Sequence, residues 1–486
     1  MHERGKCVRS LIGFWILVAV LALSACNATG LPPNADRTPV PIAAPTVGAT
    51  SLPVETPLAT ARMATPTVTE LPPTASVFSS STPQPTITEA PTAESTRETG
   101  LSPTVTVLPS LDRQQIFEEV WNTVDQNYLY PDFHGADWNA LKEQYEPIAL
   151  NAQSSDEFYG AITDMVAALD DGHSSYLSPA EAKEEDDLES GNADYVGVGI
   201  LVSPEDKSLR IIYVFPGSPA EKAGLTRRDR ITAVDGQPFV DPSKEDSRVR
   251  GPEGSIVRLS IVSPEQAERV VPIVRGRVTG AVVPSGSRLA ADPSIGYVII
   301  PNLWTDDMDV RVEDELSNLL AGSPDLKGLV IDMRGNGGGF RFILESLLGD
   351  FVSGQVGTFF DQRTSYPLTI DEKPLASRLN QLPVVLLVDK GTESYAEVMT
   401  AAIQEKGRAR VVGVPSAGNT ETIYQHNMED GSRLWCAQEG FKLLDGTNLE
   451  GRGVIPDVTV NVDWTAFKDS DDPQILKALE LLHAAP

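Results

Sequence analysis

The sequence predicts an α/β core over residues 279–486, preceded by a helical subdomain over 110–190 and a segment of short strands over 191–278. Three observations carry this. From Ile295 the chain alternates strand and helix: IGYVII reads as a strand, Met308 to about Leu320 as a helix, and Lys327 to Met333 as a second, buried strand. Val384–Val388 is an apolar run bounded by Pro383 and by Asp389-Lys390-Gly391, as a strand covered on both faces should be. Beyond it Tyr395, Met399, Ala402 and Ile403 fall at helical spacing, and Gly407 is placed to stop the helix.

Residues 1–26 open with Arg4, Lys6 and Arg9, continue through LIGFWILVAVLALSA and end at Cys26, the pattern of a secretory signal. The ending Leu23-Ser24-Ala25-Cys26 resembles the bacterial lipobox, which implies cleavage before Cys26 and a lipid anchor on it. The apolar run is short for a spanning helix, so the expectation is an exported, membrane-anchored lipoprotein in the extracytoplasmic cell envelope. Residues 27–109 are dominated by Pro, Thr, Ser and Ala without apolar periodicity. Such a segment buries too little surface to offset chain entropy and reads as a disordered stalk, kept extended by its prolines.

The net charge of −29, from 39 Lys and Arg against 68 Asp and Glu, argues against nucleic acid or an anionic membrane face as partner. Cys7 and Cys26 lie in the leader, which leaves Cys436 a lone thiol expected to be buried. Five histidines with no close His/Cys spacing give a metal site no support, and no cofactor is expected.

From Leu111 three amphipathic helices follow, marked by Ile116, Val120 and Val124, then Trp138, Leu141 and Tyr145, then Phe158, Ile162, Met165, Val166 and Leu169. Asp170-Asp171-Gly172 closes the third and leaves His173 in a loop, where a histidine is ordinarily a solvated residue or turn donor. The acidic stretch EAKEEDDLES after it reads as a solvated connector. VGVGILV and LRIIYVF then read as strands, SPAEKAGL as a short helix and DRITAVDGQPF as a hairpin-forming strand.

In the core, Asn336 to Gly339 is a Gly-rich turn between a strand and a helix containing Phe342, Ile343, Leu347 and Leu348. Such turns present backbone N–H groups to an anion. Without a Gly-Lys-Ser/Thr sequence a nucleotide is not favoured, and an oxyanion hole is the better use. Ser394 stands where a buried strand turns into a helix, a position suited to a nucleophile as well as to a plain N-cap. Glu397 on the first helical turn is placed to brace that turn.

Tyr195-Val196-Gly197-Val198-Gly199-Ile200, Gly217-Ser218-Pro219-Ala220-Glu221-Lys222-Ala223-Gly224-Leu225, Asp229-Arg230-Ile231 and Val234-Asp235-Gly236 together resemble a PDZ domain of the circularly permuted bacterial type. That resemblance implies capture of a peptide's carboxyl terminus at Val196, Gly197, Val198, Gly199 and Ile200, or use of the domain only as a gate. The order of this segment, Asp332-Met333-Arg334-Gly335-Asn336-Gly337-Gly338-Gly339, Thr392-Glu393-Ser394-Tyr395-Ala396-Glu397 and Gly451-Arg452-Gly453-Val454-Ile455-Pro456-Asp457 resembles the carboxyl-terminal processing peptidases, or tail-specific proteases. The resemblance spans Leu111 to the end. It implies a crotonase-like α/β core of ββα-type units, Ser394 as nucleophile, and an oxyanion hole from the N–H groups of Gly338 or Gly337 with Tyr395.

One position departs from that pattern: where the family places a lysine base, this chain has Asn419. An amide cannot take a proton from serine. The related tricorn core peptidases use a histidine upstream of the PDZ domain and a glutamate near the C-terminal motif, and His173 and Glu450 match those two positions. A Ser394–His173–Glu450 set is chemically sound, since imidazole can take the serine proton and a carboxylate fixes its tautomer. Lys390 and His426 rank below His173, the first as a solvent-facing turn residue and the second as a strand residue. The expected function is an exported serine endopeptidase that binds exposed C-terminal tails of protein or peptide substrates and cuts through an acyl-enzyme on Ser394. The alternative is a PDZ-containing pseudopeptidase that binds or scaffolds without catalysis.

Overall fold

In the computed structural model, residues 110–189, 195–242, 246–322 and 325–485 are described. The expected signal peptide with Cys26, and the stalk over 27–109, lie outside the described residues. No helix among the described residues is long and apolar enough to cross a membrane.

The three amphipathic periods become helices α1 (Ser110–Asn127), α2 (Trp138–Leu150) and α3 (Ser155–Ala167). Asp137 caps α2 by accepting the Ala140 N–H. At α3 the Ser154 hydroxyl accepts the Glu157 N–H while the Glu157 carboxylate accepts that of Gln153, so two orphan donors are satisfied. Their apolar faces do not close on one another alone: Met428, Leu434, Cys436 and Ala437 complete that core, with Cys436 buried. Strand β1 (Ser175–Leu177) and helix α4 (Pro179–Glu189) follow.

Helix α4 corrects the expectation of a solvated connector over EAKEEDDLES. Ala182 packs with Leu177 and Trp435, and one turn on the buried Glu185 carboxylate pairs with Arg433 and accepts the Trp435 indole N–H at 3.1 Å. The partners that draw this acidic run into a helix come from a distant hairpin, so its composition alone points outward.

The strand segment contains β2 (Tyr195–Gly197), β3 (Ile200–Glu205), β4 (Ser208–Val214), α5 (Pro219–Lys222), β5 (Arg230–Val234), β6 (Gln237–Pro238), β7 (Ile256–Val262), β8 (Arg269–Val274) and β9 (Gly276–Val278). Its main sheet runs β3-β4-β5-β7-β8, with β6 on β5, while β2 and β9 form a separate ribbon. VGVGILV is therefore not one strand. Gly199 has φ +84°, and a Cβ there would stand 2.3 Å from that of Ser218, so the chain breaks direction between β2 and β3. The break leaves β3 at the sheet edge.

The core comprises β10 (Ser285–Arg288), β11 (Ile295–Ile299), α6 (Met308–Gly322), β12 (Gly328–Asp332), α7 (Arg341–Leu348), β13 (Gly354–Phe360), β14 (Ser365–Ile370), α8 (Ala376–Leu379) and β15 (Val384–Val388). It continues through α9 (Tyr395–Glu405), β16 (Arg410–Gly413), β17 (Thr422–Asn427), β18 (Arg433–Lys442), β19 (Val458–Thr459) and α10 (Pro473–Ala484). One sheet runs β10-β11-β12-β15-β16-β19, parallel from β11 onward. Val384, Leu386 and Val388 point to the face covered by α6, α7 and α9, whereas Val385 and Leu387 point to the face covered by α10. That is why β15 reads as a continuous apolar run. A second sheet runs β1-β18-β13-β14, with β17 on β18.

At the C-terminal end of β12, Arg334 is buried. Its guanidinium donates to both oxygens of Asp332 at 2.9 and 2.8 Å, to Asp472 Oδ2 at 2.8 Å and to Gln474 Oε1 at 2.9 Å, and lies 4.1 Å from the centroid of Trp464. Burial alone would raise the Asp332 carboxyl, but Arg227 and Arg334 more than offset it and hold it well below the usual carboxylate range. Arg334→Met removes one of the two guanidinium partners of Asp332 and of Asp472, leaving Arg227 and Arg228 to them, and is expected to cost about 3–5 kcal/mol in urea unfolding at neutral pH. Because the Asp332 carboxyl is depressed in the folded state, its contribution is present above about pH 4 and is lost on further acidification. The penalty of Arg334→Met should therefore shrink in unfolding curves taken at lower pH.

Candidate active site

Ser394 sits between the C-terminal end of β15 and the first turn of α9, with φ 54° and ψ −131°. A non-glycine residue there is strained, and such strain persists only where the surroundings over-determine it. Two features hold it: the Ser394 N–H donates to the Asn419 carbonyl at 2.6 Å, and it also lies 3.1 Å from Glu397 Oε2. Gly338 packs directly against the turn with φ +82°, and a Cβ there would meet the Ser394 Cβ at 2.6 Å. Only glycine fits.

Glu397 is fully buried on the first turn of α9. Its Oε1 accepts the Ser416 hydroxyl at 2.6 Å and the Gly418 N–H at 2.7 Å, and its Oε2 accepts the Asn419 N–H at 2.9 Å besides that of Ser394. Burial pushes its carboxyl up to about 7, against the hydroxyl and two amides that favour the ion. The expected brace therefore clamps the serine turn to the loop over 416–420.

Among the expected oxyanion donors the structure distinguishes two cases. The Gly338 N–H donates to Asn336 Oδ1 at 2.9 Å in this arrangement. The N–H groups of Gly337 and Tyr395 have no hydrogen-bond partner among the described residues. Tyr395 N lies 3.0 Å from the Cβ position of Gly338, so the turn and the helix start face each other. The cause is local: the Asn336 side chain folds back on its own turn, which one-letter spacing does not reveal.

His173 is buried in the loop between α3 and β1. Asp171 Oδ1 accepts the N–H groups of His173 and Ser174 at 2.9 and 2.8 Å, and the Ser174 hydroxyl accepts the Ala437 N–H at 3.1 Å. With β1 paired on β18, these bonds fix the imidazole against the core. His173 Nε2 stands 3.1 Å from Glu450 Oε1, whose other oxygen accepts the Thr420 N–H at 2.7 Å. The pairing of His173 with Glu450 is present in the fold. No hydrogen bond joins His173 to Ser394 among the described residues, although the imidazole is near enough for its charge to act on Glu393, the residue before the serine.

The remaining candidates separate. Lys390 is exposed, and His426 lies on β17 beside Gln438. Asn419 touches the serine through its backbone. Val196 and Gly197 pair with Arg277 and Gly276, Val198 is buried with its carbonyl bonded to the Ala220 N–H, and Ile200 opens the edge strand β3. A residue absent from the sequence expectations joins the site: Glu421, with Oε2 3.8 Å from His173 Nε2 and 3% of its surface exposed. It lies two positions after Asn419 on the same loop, and its signal was only an acid beside a motif.

Residues 294–460 match the family model for peptidase family S41, residues 109–167 that for the tricorn protease C1 domain, and residues 210–263 that for a PDZ domain. A carboxyl-terminal-processing protease of Picosynechococcus sp. is 27% identical over 387 residues, covering 76% of this chain and 89% of that protein. Its namesake from Synechocystis sp. is 27% identical over 401 residues, covering 79% and 90%. Among solved structures, a photosystem II D1 C-terminal processing protease is 25% identical with a TM-score of 0.56, covering 76% of this chain and 96% of that one.

Burial pushes the His173 imidazole down, but the Glu450 hydrogen bond and the charges of Glu421, Glu450 and Asp171 more than offset it, so its pKa lies above the ordinary value. A titration of the imidazole by NMR, assigned through loss of its signal in His173→Ala, should show a midpoint above about 6.5. Glu421→Gln removes one of the charges that stabilise the imidazolium, so the midpoint should fall. A midpoint that rises in that variant would contradict the coupling.

Proposed function

With a peptidase domain of family S41 over residues 294–460, this chain is a serine peptidase, and we propose that it cuts peptide bonds through an acyl-enzyme on Ser394 with His173 as base. The observation that carries this reading is the strained turn at Ser394, clamped by Glu397 beside the Gly-rich turn. Strain of this kind exposes a hydroxyl at a helix start, where the Gly337 and Tyr395 N–H groups can receive a developing oxyanion.

With Nε2–H donating to Glu450, neutral His173 keeps its lone pair on Nδ1. In the proposed first step Ser394 Oγ attacks the substrate carbonyl as its proton passes to Nδ1. The tetrahedral oxyanion collapses, the amine leaves with that proton, and the acyl group stays on Ser394. Water, deprotonated by the same nitrogen, then releases the acyl group and restores the serine. Glu450 holds the tautomer and stabilises the imidazolium. The Ser394–His173 contact has to form when substrate docks, as catalytic hydrogen bonds often tighten only in the complex.

The PDZ segment supports a peptide or protein substrate. We take its finer role to be capture of a C-terminal tail along the unpaired edge of β3, with Val196 to Ile200 receiving the carboxylate. The parallel sheet with helices on both faces supports a crotonase-like description of the core. The basic start, apolar run and Leu23-Ser24-Ala25-Cys26 support export and a lipid anchor on Cys26, with the domain boundaries as read from sequence.

A fluorophosphonate probe tests the central step. Wild type should label, Ser394→Ala should not, and His173→Ala should label about 10²–10⁴-fold more slowly. A wild type that stays unlabelled across pH and with tailed peptides present would return the pseudopeptidase reading. Labelling then restored by Asn419→Lys would assign the lost base to that position.

A further inference from the structure

Three side chains from separate parts of the chain converge on one point. One ligand atom from each of His173, Glu421 and Glu450 lies within 4.8 Å of the others. His173 Nε2 stands 3.1 Å from Glu450 Oε1 and 3.8 Å from Glu421 Oε2. This is the only such cluster among the described residues.

Glu421 is the unexplained member. Its side chain is 1% exposed, and neither carboxylate oxygen has a hydrogen-bond partner among the described residues. Burial pushes its carboxyl up to about 7, with the His173 charge and the nearby Tyr130 hydroxyl acting the other way. A buried acid left without a donor is costly, and catalysis by Ser394, His173 and Glu450 does not require it.

We propose that His173, Glu421 and Glu450 form a binding site for a divalent transition metal of the zinc type, and that its occupancy holds the peptidase inactive. Zinc bonds of about 2.0–2.2 Å in tetrahedral array place ligand atoms roughly 3.3–3.6 Å apart. The observed 3.1 and 3.8 Å straddle that separation, so small side-chain shifts complete the site. A neutral imidazole with two carboxylates carries two negative charges, which a divalent ion balances where an imidazolium balances one. One nitrogen and two carboxylates suit zinc; calcium and magnesium ask for more oxygen ligands. Glu450, with 20% of its side chain exposed, gives the side from which ion and water enter.

A metal on Nε2 would take the place of the Nε2–H···Glu450 bond, turn both carboxylates toward the ion and fix the imidazole where Ser394 needs it to move. The binding site stands on its own geometry; the inhibitory consequence rests on the Ser394–His173 reading.

The full chain, stripped with EDTA and dialysed, is titrated with Co²⁺ while its visible absorption is followed. The expected result is a tetrahedral cobalt band that saturates at one equivalent and is bleached by Zn²⁺. Glu421→Gln should weaken binding by at least about tenfold, since even outer partners of metal ligands cost that much, and His173→Ala should abolish the band. Circular dichroism verifies that each variant is folded. In parallel, fluorophosphonate labelling of the metal-free chain reports the serine, and one equivalent of Zn²⁺ should suppress it until EDTA is added. Labelling without any cobalt band, or a band retained in folded Glu421→Gln, overturns the site and leaves the peptidase reading standing. A band with labelling indifferent to Zn²⁺ overturns the inhibitory role, and a band in a chain that never labels overturns the peptidase reading and that role with it.

Discussion

The site depends on one buried carboxylate. Glu397 gathers donors from Ser394, Ser416, Gly418 and Asn419, two of them on each oxygen. Without it the strained φ of Ser394 would have little to oppose relaxation, and the loop over 416–420 would lose its hold on α9. Because the same loop carries Thr420, whose N–H binds Glu450, the clamp reaches the histidine through a chain of hydrogen bonds. Ser394, the loop and the partner of the imidazole are thus positioned through a single buried group.

The PDZ segment is fastened to the core by a different device, three consecutive ion-pair systems. Arg210 on β4 donates to Asp389 at 2.6 Å, Arg227 to Asp332 at 2.9 Å, and Arg228 to Asp472 at 3.1 Å. Asp389 also accepts the Gly335 N–H at 2.8 Å and the Trp464 indole N–H at 2.8 Å. One carboxylate thus ties the strand sheet to the base of the Gly-rich turn beside Ser394. Buried pairs of this sort contribute less to net stability than to fixing one arrangement, because the desolvation they cost is recovered only when every partner is in place.

Asn419, at the position where the sequence resemblance led to the expectation of a lysine base, meets the serine turn through its backbone. Its carbonyl accepts the Ser394 N–H and its own N–H goes to Glu397. The negative charge that collects around His173, from Glu421, Glu450 and Asp171, stabilises its imidazolium form against the cost of burial.

Much of this was written in the chain. The apolar runs at Val384–Val388 and Lys327–Met333 determine buried strands, the glycines at 337–339 and the Ser394–Glu397 spacing mark a constrained strand-to-helix turn, and three amphipathic periods give three helices, because these depend on contacts within a few residues. What only the tertiary structure decided were relations between distant segments. The acidic run over 181–189 becomes a helix because Arg433 and Trp435 meet Glu185. VGVGILV divides because Ser218 crowds Gly199. Glu421 reaches His173 because β1 pairs with β18 and sets the imidazole against the loop that follows β16. Local periodicity carries no information about such meetings, since burial and charge pairing are properties of a place in the fold, and that place is fixed only when the sheets have closed.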